Sequence, residues 1–358
     1  MQMNTVFCIV ALGVVGSTYA ADSPSGDSVI RSPYAGSEIV IRTTSRLAGA
    51  IHSVTWNGRE FINSHDHGRQ LQSASNLDAG SPMTGETFNP TEAGSRFDGA
   101  GQNSTSRLLH LIADGNTLQT TNQMAFWLRP GEKSGGHPAK NTKTLSDHLL
   151  TKRVTIGYRN LPNVIQYDVT FSLPVNEVHH YATFEAVTGY MPPEFSRFET
   201  FDPANCNVAK LTDGPGEQSK PIVFSDPSGS HAMAIYSPDQ PSTGRTNSGY
   251  GRWRFKAQRV VKWNCVFRVK KATGIKPKDF TFRSFVIVGT RDDVIETLSQ
   301  LTASCRSTLR LCCESGQKRA VEVPWSSIPR LDNWRIHVHY PTGSGILGCG
   351  YLRKTRLG

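Results

Sequence analysis

Beyond its first twenty residues the sequence has no apolar run long enough to cross a bilayer, which excludes a helical membrane span from the rest of the chain. It also lacks a glycine-rich phosphate loop between a strand and a helix, so a nucleotide cofactor is not expected. The expected chemistry uses no cofactors. No stripe of Lys and Arg interleaved with aromatics is present, which argues against nucleic acid as a partner. The net charge of +10 does not reverse that reading. Nine basic and three acidic residues follow Cys305, so the tail supplies +6 of it and the body is only mildly basic. Helix signals are scarce, and cysteine is scarce in the body, where only Cys206 and Cys265 occur.

The first twenty residues read as a signal peptide. An apolar run from Val6 to Val15 is too short to span a membrane, and small residues close it, with Thr18 at the minus-three position of a cleavage after Ala20. The protein is therefore expected to be secreted or periplasmic. Processing removes Cys8 and leaves Cys206, Cys265, Cys305, Cys312, Cys313 and Cys349, an even set in an oxidising compartment. Cys206 with Cys265 is the expected disulfide, and vicinal Cys312 and Cys313 lack the C-x-x-C spacing of a metal or redox pair.

Strand signals dominate residues 21–302. From Val164 to Leu173, apolar Ile165, Tyr167, Val169, Phe171 and Leu173 alternate with polar neighbours, and Val261, Trp263, Cys265, Phe267 and Val269 repeat the pattern. Further strands are expected at 38–43, 51–56, 123–128, 153–158, 180–187, 232–236 and 280–288, with Gly-, Pro- and Asn-rich turns between them. This is an all-β chain, an antiparallel sandwich or barrel. One helix closes it: Thr290 and Asp293 form a capping-box pattern, and Val294, Ile295, Leu298 and Leu301 follow at helical spacing. Residues 303–358 form a basic, Cys-containing tail. Two long polar stretches, 78–106 and 131–147, are expected to wall a site, and Asn103-Ser104-Thr105 is a glycosylation sequon.

The densest polar cluster is Asn63-Ser-His65-Asp66-His67-Gly68-Arg69-Gln70-Leu71-Gln72. If extended, it places His65, His67 and Arg69 on one face, where imidazoles move protons near neutral pH and a guanidinium grips a carboxylate. Glu92 in the first polar stretch, and His180 before Glu185, supply further acid or base groups. Tyr190 and Arg197 flank the stiff Pro192-Pro193 segment as a rim, with Glu199 just beyond it. A lyase would use Arg69 or Arg96 on a uronate and His67 or His180 as base. A hydrolase would need a carboxyl pair such as Glu92 and Glu199. Gln72 is a further substrate contact.

The passage from Ala50 to Asn63 resembles the opening hairpin of the galactose mutarotase-like sugar-binding superfamily, and His67-Gly68-Arg69 is similar to the Gly-Arg that often follows it. The resemblance implies a large antiparallel β-sandwich over residues 38 to about 300 that acts on carbohydrate. It implies Arg69 as a substrate contact, with His65, His67 or His180 as acid and Glu92 or Glu199 as base. The chain departs from the epimerase pattern, because His137-Pro138 is followed by Ala-Lys instead of an aromatic residue and Asn. Gly58, His65-x-His67 and Gln72 come near the cupin spacing, which gives a metal-binding alternative on His65 and His67. The expected function is thus that of a secreted lyase, hydrolase or epimerase of an oligo- or polysaccharide, with a non-catalytic carbohydrate-binding or cell-surface protein as the alternative.

Overall fold

The computed structural model describes residues 24–80, 82–242, 248–314, 334–339 and 351–356, with side chains as far as residue 302. The expected signal peptide, and the side chains of Cys305, Cys312, Cys313 and Cys349, lie outside these. The chain divides into two units, residues 1–307 and 308–358. Among the described residues of the second, Trp334–His339 pairs antiparallel with Tyr351–Arg356.

The first unit is a large antiparallel β-sandwich. Its first sheet runs through strands Arg107–Asp114, Thr117–Phe126, Leu145–Tyr158, Leu161–Ser172, Asp279–Gly289, Ala232–Tyr236, Ile222–Ser225 and Arg197–Asp202, each pairing with the next. The second runs through Ser28–Tyr34, Ser37–Thr43, Ile51–Trp56, Leu71–Leu77, His179–Met191, Val260–Ile275 and Tyr250–Phe255. Pro90–Thr91 pairs with both Leu71–Leu77 and Thr117–Phe126 and so laces the sheets together.

Alternation fixes which side chains meet between the sheets. Tyr167, Val169 and Phe171 of the first sheet point inward, as do Phe184, Trp263, Cys265 and Phe267 of the second. Phe171 lies 5.0 Å from Phe184, and Phe282 stacks on Phe267 at 4.2 Å. Burying each such ring contributes on the order of 2 kcal/mol, which sets the register of both strands.

The first turns of the helix Arg291–Glu314 cover the outer face of the first sheet: Val294, Leu298 and Leu301 pack on Val164, Val223, Ala234 and Ile287. Its start is the expected capping box, with Thr290 N and Asp293 N each donating to the other's side chain at 3.2 Å. The helix continues past Leu301, where the sequence periodicity fades, to Glu314. The outer face of the second sheet has no helix over it among the described residues.

The expected Cys206–Cys265 disulfide is not formed. Cys265 is buried in the strand Val260–Ile275, whereas Cys206 is exposed in a turn at φ 59°, and both thiols are free.

Candidate functional site

A cleft of about 800 Å³ opens at one end of the second sheet. Three segments line it: Asn63, Ser64, His65 and Arg69; the loop Pro192-Pro193-Glu194; and the turn Ala257-Gln258-Arg259. They converge because backbone bonds tie Asn63 N to Tyr190 O at 2.8 Å and Tyr190 N to Gln70 O at 3.2 Å. Arg69 Nη1 then donates to Gln258 O at 3.3 Å, joining the first segment to the third. Its Nε lies 3.1 Å from Asp66 Oδ2.

The segment from His65 to Arg69 is not a strand, which corrects the expectation that His65, His67 and Arg69 share a face. Asp66 captures Gly68 N with its side chain at 3.0 Å and Arg69 N with its carbonyl at 3.3 Å, so the chain turns. Gly68 is required at that turn, since a Cβ there would meet the Trp127 ring at 2.7 Å. His65 is left exposed on the cleft while His67 is buried. The His67 ring spans two carbonyls, Gly99 O at 2.7 Å from Nδ1 and Arg46 O at 2.9 Å from Nε2. It therefore pins loops together, and the cupin-like pair on His65 and His67 does not assemble.

Beside the cleft, the outer face of the second sheet carries a cross-strand row of Tyr190, Lys262 and Trp253. The Lys262 ammonium lies 5.1 Å from the Tyr190 ring and 4.9 Å from the Trp253 ring, and 3.3 Å from Glu185 Oε2. Burial alone would lower the Lys262 pKa, but the Glu185 charge outweighs it and holds the ammonium above the usual lysine value. Burial likewise raises the Glu185 carboxyl, and Lys262 with the Thr188 hydroxyl, 2.6 Å away, brings it below its ordinary value. Trp253 reaches over Gly251, where a Cβ would stand 2.4 Å from the ring. Gln72, opposite Thr188 on the same face, donates to Gly68 O at 3.1 Å, and its buried Oε1 has no hydrogen-bond partner.

The other residues singled out in the sequence lie elsewhere. Glu92 is buried between the sheets, paired with Lys152 and accepting from Ser73 N at 3.0 Å. Glu199 is gripped by Arg291 at 2.7 and 3.0 Å and fastens the start of the helix. Glu92 and Glu199 thus do not face each other across a cleft. Arg96 pairs with Glu132 at 3.3 Å, and exposed Arg197 lies 3.6 Å from Glu199. His180 is exposed, whereas its neighbour His179 is buried.

His179 meets His148, which the sequence did not distinguish, across Glu177. Both Nε2 atoms approach Glu177 Oε2, at 2.7 Å from His148 and 3.0 Å from His179. Burial raises the Glu177 carboxyl, but these two contacts outweigh it and hold its pKa at about 2. A second cavity of about 230 Å³ lies against Glu177 and His179, walled by Ala79 and Phe88 of one long polar stretch and Lys140–Lys143 of the other. The two stretches do form walls, at this cavity and not at the larger cleft.

No protein-family model matches the chain, and no curated protein matches it in sequence. Solved structures do match. An α-galactosidase from Lactobacillus brevis is 7% identical over 74% of this chain and 40% of its own, with a TM-score of 0.40. A protein of glycosyl hydrolase family 38 from Enterococcus faecalis is 12% identical over 78% of this chain and 33% of its own, with a TM-score of 0.43. A Synechocystis protein is 8% identical over 76% of this chain and 99% of its own, with a TM-score of 0.39. The chain thus spans well under half the length of the first two. At these identities the likeness supplies no residue correspondence for the cleft.

Proposed function

We propose that the protein is exported, holds a uronic-acid-containing oligo- or polysaccharide in the 800 Å³ cleft, and acts on it as a lyase. The observation that carries this reading is the cleft lining, where His65, Arg69 and Arg259 stand against one carboxylate, Glu194. A uronate offers a planar pair of oxygens that suits a guanidinium fork. Trp253 and Tyr190 add ring surface next to the cleft for sugar faces.

The chemistry follows from those groups. Arginine beside the uronate carboxylate acidifies the adjacent C–H. Exposed His65 takes that proton, a C=C bond forms from the electron pair, and the C–O bond to the next sugar breaks. The leaving oxygen then takes a proton from the imidazolium. A hydrolase would need two carboxyl groups across the scissile bond, and Glu194 is the single carboxylate among the residues lining the cleft. The ion pair of Arg69 with Asp66 favours a second reading, binding without turnover, because the guanidinium is already held.

Incubation with neutral and uronate polysaccharides, followed by the ultraviolet absorbance of unsaturated uronate, tests the proposal. His65→Ala is expected to lower that rate by about 10²–10⁴-fold with little change in binding. Binding without any absorbance change would select the second reading, and no binding to any uronate would overturn both.

A further inference from the structure

We propose that His148, Glu177 and His179 bind a divalent transition metal, with Zn²⁺ the ion the donor set suits. His148 comes from the strand Leu145–Tyr158, His179 opens the strand His179–Met191, and Glu177 stands two residues before that strand. Their three donor atoms lie within 4.8 Å of one another. Tetrahedral zinc, with bonds near 2.0–2.2 Å, separates its ligands by about 3.3 Å, so the observed 2.7 and 3.0 Å need to open by only a few tenths of an ångström.

The surroundings match what such a site requires. Both imidazole side chains are 2% exposed. The rings of Phe88 and Phe126 hold them in place, Phe88 lying 5.6 Å from His179 and Phe126 6.3 Å from His148. Behind His179, the buried Nδ1 has no hydrogen-bond partner, and Asp78 Oδ1 lies 3.6 Å from it. The Asp78 carboxylate is itself fixed by the backbone N–H groups of His180 and Tyr181, at 3.1 Å each. A carboxylate behind a ligating histidine orients the ring and raises its basicity.

On the other side Glu177 and His179 border the 230 Å³ cavity, so a fourth coordination position opens onto solvent. Two imidazoles and one carboxylate with an open position are the ligands of hydrolytic zinc sites and of non-haem iron. None of the three ligands lines the larger cleft, so the inference stands independently of the carbohydrate reading. The competing account is a purely structural hydrogen-bonded triad.

The test is titration of metal-free full-length protein with Zn²⁺ against a chromophoric chelator. One ion per chain is expected. Glu177→Gln, which keeps the side-chain volume at a partly exposed position, should lose at least 100-fold in affinity, and His148→Ala should do the same independently. Asp78→Asn should lose about 10-fold or more. His180→Ala, which removes the exposed neighbouring imidazole, should bind as the wild type does. Absence of stoichiometric binding by the wild type, or undiminished binding by Glu177→Gln, would overturn the site and leave the triad structural.

Discussion

The Lys152 ammonium and the Glu92 carboxylate pair inside the sandwich with neither side chain exposed. Lys152 projects inward from the first sheet, Glu92 lies just past the strand that laces the sheets, and Ser73 N of the second sheet donates to Glu92 at 3.0 Å. Ser73 Oγ then contacts both Tyr167 OH at 3.0 Å and Ala186 O at 2.7 Å. This network ties the two sheets together through buried polar groups. Removing one charge strands the other, at a cost of about 3–5 kcal/mol, whereas removing both is far less costly. Lys152→Met should therefore destabilise the protein by that amount in urea unfolding, and Lys152→Met with Glu92→Met should recover most of the loss. Additive losses would contradict the pairing.

Glu185 gives a pH dependence. Its folded pKa lies below the ordinary 4.5, so its pairing with Lys262 contributes stability that is complete above the unfolded value and is lost as pH falls through the lower folded value. Wild type should exceed Glu185→Gln in stability at pH 7, and the gap should close as the solution is acidified below about 4.5. A gap that widened in acid would contradict the assignment.

Gly251 should not tolerate a methyl group. A Cβ there would press on Trp253 at 2.4 Å and on Asn264 Oδ1 at 2.5 Å, so Gly251→Ala should cost about 1–3 kcal/mol. It should also lift the Trp253 ring off Lys262, which tryptophan fluorescence and weakened sugar binding would report.

Leu298 anchors the helix to the first sheet with no exposed surface. Leu298→Ala should lower stability by about 2–5 kcal/mol in urea unfolding without changing ligand affinity at the distant cleft.

Much of this architecture is legible in the sequence, and the reasons are physical. Ile165, Tyr167, Val169 and Phe171 announce their strand because one face is buried and the other is not, and Thr290 with Asp293 announces the helix because the cap is local. The cleft is legible in part: the polar run at His65 and Arg69 and the stiff Pro192-Pro193 loop are both conspicuous, and the fold brings them together. Gln258 and Arg259 are not, since only the fold carries a hairpin turn from nearly two hundred residues away to Arg69. The placement of His67 turns on Asp66, whose side chain ends the extension that alternation would require. His148 and Glu177 are not legible in the sequence because their spacing of 29 residues matches no motif, and only the fold brings the His148 ring to Glu177 Oε2. Cys206 and Cys265 show the converse, two residues that composition pairs and geometry keeps apart.

The most direct test of the central claim is calorimetric binding of a uronate oligosaccharide and of its carboxyl-reduced, neutral counterpart to the wild type and to Arg259→Ala. The account predicts that the wild type binds the uronate at least about tenfold more tightly, a difference of roughly 1.4 kcal/mol, and that Arg259→Ala removes most of that preference. Equal affinity for the charged and neutral ligands, unchanged in the variant, would contradict it.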